Sequence, residues 1–184
     1  MSKVKIEGNA SGTGTLTISA HNTNTDRSLT LPDGAGEIFV GDITSSDLPT
    51  GSILQVVKSD APSGIFSTTN STPQDTGHSA SITPSSSSNK ILVIVSYNGH
   101  NSTAGRTFKA YLKRGTTQID GQHLGDDTSG TLSMSNSLMI LDSPSTTSSV
   151  TYTMFVGTDG VGTSYYNYSS SQGKDTIILM EIAG

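Results

Sequence analysis

The stretch Lys90-Ile91-Leu92-Val93-Ile94-Val95-Ser96-Tyr97 decides the fold. Its β-branched residues lose side-chain freedom in a helix and fit a pleated sheet. Side chains alternate across a strand, so Ile91, Val93 and Val95 form one apolar row and Leu92 and Ile94 a second. A strand covered on both faces is expected. The closing stretch Thr176-Ile177-Ile178-Leu179-Met180-Glu181-Ile182-Ala183 repeats the pattern, with rows Ile178/Met180/Ile182 and Ile177/Leu179. One small sandwich does not need two such strands, so the surplus row predicts a core between subunits.

Outward from these stretches, period-2 alternation recurs and is broken by Gly, Asn, Asp, Pro and Ser. The pattern predicts further strands at Ile53–Lys58, Ala80–Thr83, Arg106–Arg114, Thr116–Asp120, Leu132–Leu141, Ser149–Gly157 and Thr163–Tyr168. In Arg106–Arg114, Phe108, Ala110 and Leu112 alternate with Lys109, Tyr111 and Lys113, one buried face against one wet face. Val150, Tyr152, Met154 and Val156 make another inward row. The expected fold is all-β, a jelly-roll-like antiparallel β-sandwich.

The first 50 residues read differently. Short apolar pieces at Leu16–Ile18, Leu29–Leu31 and Ile38–Val40 are separated by polar stretches such as His21–Arg27. Two or three apolar residues per piece do not offset roughly 1–2 kcal/mol of backbone entropy per ordered residue. Residues 1–50 are therefore expected to be an extended, strand-rich arm that docks or intertwines, and residues 51–184 a sandwich head. The break falls at Asp47-Leu48-Pro49-Thr50-Gly51.

Composition narrows the function classes. The chain has 31 Ser and 26 Thr among 184 residues, no Cys, and a net charge of −5. Without Cys there is no disulfide frame or thiolate metal site. The acidic balance lacks the footprint of a nucleic-acid binder. No apolar run approaches a membrane span, and no signal-like stretch follows Met1, so neither membrane insertion nor secretion is expected.

Reactive chemistry finds little support. His21, His78, His100 and His123 show no metal-site spacing and read as exposed loop residues. The nucleophile elbow Gly-x-Ser-x-Gly is absent. Gly12-Thr13-Gly14-Thr15 lacks the Lys of a phosphate loop and reads as a strand start. Only Glu7, Glu37 and Glu181 supply Glu, poor material for a paired-carboxylate hydrolase. The loop Asp120–Asp127 gathers three carboxylates and His123, but without the spacing of a calcium loop it reads as solvated. No catalytic residue, cofactor or metal is expected.

Two surface features remain. Arg106, Lys109, Lys113 and Arg114 form a basic row suited to an acidic partner or an anionic polysaccharide. Tyr165, Tyr166 and Tyr168 lie in a Gly/Ser/Asn-rich hairpin and offer rings for a sugar; alternation puts Tyr166 and Tyr168 on one face and Tyr165 on the other.

Several segments carry a resemblance. Gly12-Thr13-Gly14-Thr15-Leu16-Thr17-Ile18 and Asn22-Thr23-Asn24-Thr25-Asp26-Arg27-Ser28-Leu29-Thr30-Leu31-Pro32-Asp33-Gly34-Ala35-Gly36 resemble a segment common in tail-fibre and other exterior virion proteins of tailed bacteriophages. So do Leu48-Pro49-Thr50-Gly51-Ser52-Ile53-Leu54-Gln55-Val56-Val57, Ser81–Val93 and the closing Ile177–Ala183. The resemblance implies a homotrimeric, non-enzymatic protein on the virion exterior, made in the bacterial host cytoplasm. It implies a jelly-roll-like head and a chain-wrapping N-terminal segment. With about 50 residues ahead of the head, no long shaft is expected. The expectation is therefore a capsid decoration (cement) protein contacting itself and the major capsid protein or another virion protein. Host-surface polysaccharide is a secondary partner. The alternative is a short tail fibre or receptor-binding tip.

Overall fold

The structure is a computed structural model. It describes residues 47–125, 132–168 and 174–184, together with Ser11, Thr13 and Asn24. Backbone contacts divide the chain into two compact units, Met1–Val40 and Gly41–Gly184. The expected arm strands at Leu16–Ile18, Leu29–Leu31 and Ile38–Val40 lie outside the described residues, as does His21.

The described residues of the second unit form ten strands: β1 (Ile53–Asp60), β2 (Phe66–Thr68), β3 (Gln74–Ile82), β4 (Lys90–Asn101), β5 (Thr107–Arg114), β6 (Thr117–Gly125), β7 (Leu132–Asp142), β8 (Val150–Thr158), β9 (Ser164–Tyr166) and β10 (Thr176–Ile182). One sheet runs β1-β10-β4-β9-β2, with β7 on the other side of β4, and the second runs β3-β8-β5-β6. Every pairing is antiparallel. Setting aside the short β2 and β9, the long strands fall in the order first, eighth, third, sixth in one sheet and second, seventh, fourth, fifth in the other. That is the double Greek key of a jelly roll.

The core forms where the inner rows meet. Ile91, Val93, Val95 and Tyr97 of β4 and Ile177 and Leu179 of β10 face Phe108, Ala110 and Leu112 of β5 and Tyr152, Met154 and Val156 of β8. All of these are fully buried. Burying each large side chain contributes about 1.5–3 kcal/mol. Tyr97 sits at the centre, its ring 6.1 Å from Phe108 and 6.3 Å from Tyr166.

Strand β3 begins earlier than the sequence pattern places it. Its register shifts between Asp75 and Ser79, where Gly77 adopts φ +75° and donates its N–H to Asp75 Oδ1 at 2.7 Å. A bulge of this kind breaks the period-2 signal, leaving Ala80–Ile82 as the legible part.

Candidate interaction surface

The outer side of the first sheet carries the surplus apolar row. In the β1-β10-β4-β7 register, Val56, Met180, Leu92 and Leu141 lie across the strands in one line. Ile178, Ile94 and Met139 form the next line, with Lys58 at its β1 end. Met139 is 68% exposed, Val56 58% and Leu141 51%. Within the described residues the inner row of β4 is buried in the sandwich, while Leu92 and Ile94 are half-buried beside their neighbours in the same sheet.

Farther along β4 the same face turns polar. Ser96 lies opposite Ser137, Asn98 opposite Ser135, and His100 opposite Ser133. Ser135 Oγ donates to Asn98 Oδ1 at 2.6 Å. The face therefore reads apolar at one end and hydroxyl-rich at the other, with the Lys58–Asp60 ion pair at its β1 edge. An apolar sheet surface rimmed by polar groups is the form of a protein–protein contact.

Buried polar groups hold this sheet in place. Glu181 points inward from β10 and is 1% exposed. Its Oε1 accepts from Ser85 N and Asn89 Nδ2, both at 2.6 Å, and from Ser85 Oγ at 2.8 Å. Its Oε2 accepts from Gln55 Nε2 at 2.6 Å. Burial pushes its pKa up, but the bonds from Asn89, Gln55 and Ser85 outweigh this and hold it below the usual carboxylate value. Asp175 ties Asn98 of β4 to Asn167, the residue after β9, accepting from Asn98 N and Nδ2 at 2.8 and 2.9 Å and from Asn167 N at 3.0 Å. Desolvation dominates there and raises its pKa.

The tyrosine hairpin departs from the alternation read in the sequence. Tyr166 is 1% exposed and turns into the core, so it offers no ring to a sugar. Tyr165 and Tyr168 instead share the outer side with His100. The rings of His100 and Tyr168 stack at 4.1 Å, and Tyr165 lies 5.5 Å from His100. Asn167 causes this: its φ of +56° ends the extended strand and returns Tyr168 to the side of Tyr165. The three outer rings spend much of their faces on one another.

The histidines are also corrected. His78 and His100 are buried strand residues, and only His123 among those described is exposed. His78 Nε2 lies 3.1 Å from the Ser59 carbonyl, which only accepts, so Nε2 carries the proton. Nδ1 then accepts from the Tyr166 hydroxyl at 2.6 Å.

The expected basic row divides. Arg114 falls in the inward register of Phe108, Ala110 and Leu112 and pairs with Asp142 of the other sheet at 2.7 Å, while Arg106 lies 3.6 Å from Asp159. Lys109 and Lys113 remain on the outer face of the second sheet. Of the Asp120–Asp127 loop, Asp126 and Asp127 lie outside the described residues. Among the described residues no group of three His, Cys, Asp or Glu could hold a metal ion, and no helix is long and apolar enough to cross a membrane. A cleft of about 220 Å³ beside β2, lined by Pro62, Ile65, Phe66, Thr76 and Asn167 and floored by Tyr166, has no ionic or imidazole side chain in its lining.

No family model matches the chain, and no curated protein matches it. Among solved structures, the infectious bursal disease virus Gt strain is similar at 15% identity and a TM-score of 0.38, over 73% of this chain and 39% of that one. The infectious bursal disease virus VP2 subviral particle is similar at 16% identity and a TM-score of 0.37, over 71% and 37%. The insecticidal delta-endotoxin Cry8Ea1 from Bacillus thuringiensis is similar at 16% identity and a TM-score of 0.35, over 64% and 19%. The chain spans about two fifths or less of the length of each. Likenesses this distant do not bear on what the chain does.

Proposed function

We propose that this chain is a non-enzymatic structural protein of a tailed-bacteriophage virion, a homotrimer displayed on the particle exterior as a capsid decoration (cement) protein. The observation that carries the reading is the outer apolar face of the first sheet, with Met139, Leu141 and Val56 in the open. Such a face has a cost in water and a use in assembly. At roughly 25 cal/mol per Å², an interface above about 1,000 Å² per subunit gains enough to outweigh the loss of free tumbling. A second and third copy of the chain are the partners, joined through this face. The segments that resemble exterior virion proteins, Gly12–Ile18, Leu48–Val57, Ser81–Val93 and Ile177–Ala183, support the virion assignment.

In this reading residues 1–50 tie the head to the major capsid protein or another virion protein. A trimer multiplies weak individual contacts through avidity. Many copies then raise the barrier to shell rupture. The resemblance extends to tail-fibre proteins, which supports a second reading as a short tail fibre or receptor-binding tip.

Purified particles with and without the protein separate the readings. Decoration predicts that particles lacking it release their genome at a lower temperature while still adsorbing to the host. Equal release temperatures with adsorption lost would overturn the capsid reading in favour of the tail. Equal release and equal adsorption would overturn both.

A further inference from the structure

We propose that the outer face of the β3-β8-β5-β6 sheet binds an acidic polysaccharide, with Tyr111 as the ring platform and Lys109 and Lys113 as its anion contacts. This face lies on the opposite side of the sandwich from the apolar one, so the inference does not depend on the assembly reading.

The argument begins with β5. Lys109, Tyr111 and Lys113 alternate outward while Phe108, Ala110 and Leu112 fill the core. Successive outward positions are about 7 Å apart, and the two lysine Cα atoms are about 14 Å apart. That is room for a polymer lying along the strand, with one ring between two cations.

Tyr111 is held at both ends. Its ring lies across Gly121, where an added Cβ would come within 2.6 Å of Tyr111 Cδ1, so only glycine lets the ring down onto β6. Its hydroxyl is hydrogen-bonded to His123 Nε2. A ring fixed in advance loses little conformational freedom on binding. Its negative face suits the C–H groups of a sugar ring.

The charges on this face are available. Among the described residues, Lys58, Arg106 and Arg114 each have a carboxylate partner within 4 Å, whereas Lys109 and Lys113, like Lys90 and Lys174 elsewhere, have none. Lys113 Nζ sits 4.0 Å over the ring of Phe155, which positions the ammonium without neutralising it. Asp75 stands opposite Phe155 in the register, so the face as a whole is only mildly positive. Two unpaired lysines on one face of a chain of net charge −5 favour a polymer of spaced carboxylates over the dense phosphates of a nucleic acid.

The test uses the full chain and polygalacturonate as the acidic probe, with neutral dextran and duplex DNA as comparators, in affinity electrophoresis. The expected result is retardation by polygalacturonate alone. Replacing both lysines (Lys109→Gln with Lys113→Gln) should weaken it at least about tenfold, and Tyr111→Ser should do the same. Tyr111→Phe, which keeps the ring, should retain binding within about threefold. Gly121→Ala, which lifts the ring, should reduce it. Each variant is compared at equal folded fraction by circular dichroism. Wild-type protein that ignores polygalacturonate, binding indifferent to the lysines, or duplex DNA bound as tightly would each overturn the proposal.

Discussion

The side chains of His78 and Tyr166 meet at 2.6 Å inside the sandwich, and this contact joins the two sheets, β3 to β9. Tyr166 Oη donates, and His78 Nδ1 accepts because its other nitrogen carries the proton to Ser59. Removing the hydroxyl leaves a buried acceptor with no donor. Tyr166→Phe should therefore cost about 1–3 kcal/mol in urea unfolding while the association state stays the same. An unchanged unfolding midpoint would show that the contact contributes nothing.

The same histidine gives a pH signature. Burial holds the His78 pKa below its ordinary value of 6.5, against the pull of the Ser59 carbonyl and the Asp60 charge. The folded state thus prefers the neutral ring. The stability this contributes is present above pH 6.5 and is lost as pH falls through the lower folded-state value. Urea midpoints should decline from pH 7 towards about pH 5, and His78→Gln, though less stable throughout, should show a shallower decline. Equal slopes in the two proteins would contradict the assignment.

Glu181 acts further down the scale. Its folded-state pKa lies below 4.5, so its contribution is present above that value and is lost on further acidification. Glu181→Gln turns an amide –NH₂ either towards Gln55 Nε2 or towards Ser85 N and Asn89 Nδ2, N–H groups that only donate, and should cost about 2–3 kcal/mol at neutral pH. Thermal melts at pH 7 and about pH 3 should show the gap between wild type and variant narrowing in acid. A gap that stays constant would mean that the charge of Glu181 is not what matters.

Surface changes on the first sheet should separate folding from assembly. Met139→Lys and Leu141→Glu replace exposed side chains and should change the stability of the isolated head by no more than about 0.5 kcal/mol. Both place a charge in the proposed contact between copies, where an unpaired buried charge is costly. Light scattering should then report smaller particles than wild type at equal concentration. Wild-type mass with either substitution would move the contact elsewhere.

Much of the sandwich was legible because its strands are regular. The rows of β4, β5, β8 and β10 follow from alternation alone, and so does the surplus row Ile178/Met180/Ile182 that ends on the outer face. What escaped was set by local backbone geometry or by long-range partners. Strand β2 has only three residues, too few for a period. The turn at Asn167 reverses the side on which Tyr168 emerges; Asn is a residue type that tolerates positive φ, but period-2 alternation does not register it. Glu181 did leave one: it occupies the inward register of Ile177 and Leu179. Its donors, Gln55, Ser85 and Asn89, lie about a hundred positions away and come together only through the fold. The division of the basic row has the same origin, since Asp142 meets Arg114 from the other sheet and Asp159 meets Arg106 from just beyond β8.

Sedimentation velocity of the wild-type chain at micromolar concentration, beside Met139→Lys, tests the central claim most directly. The proposed assembly through the outer face of β1, β10, β4 and β7 predicts a species of three times the 19.0 kDa chain mass, and a lighter one for the variant. A wild-type monomer, or a trimer indifferent to the charge at position 139, would contradict it.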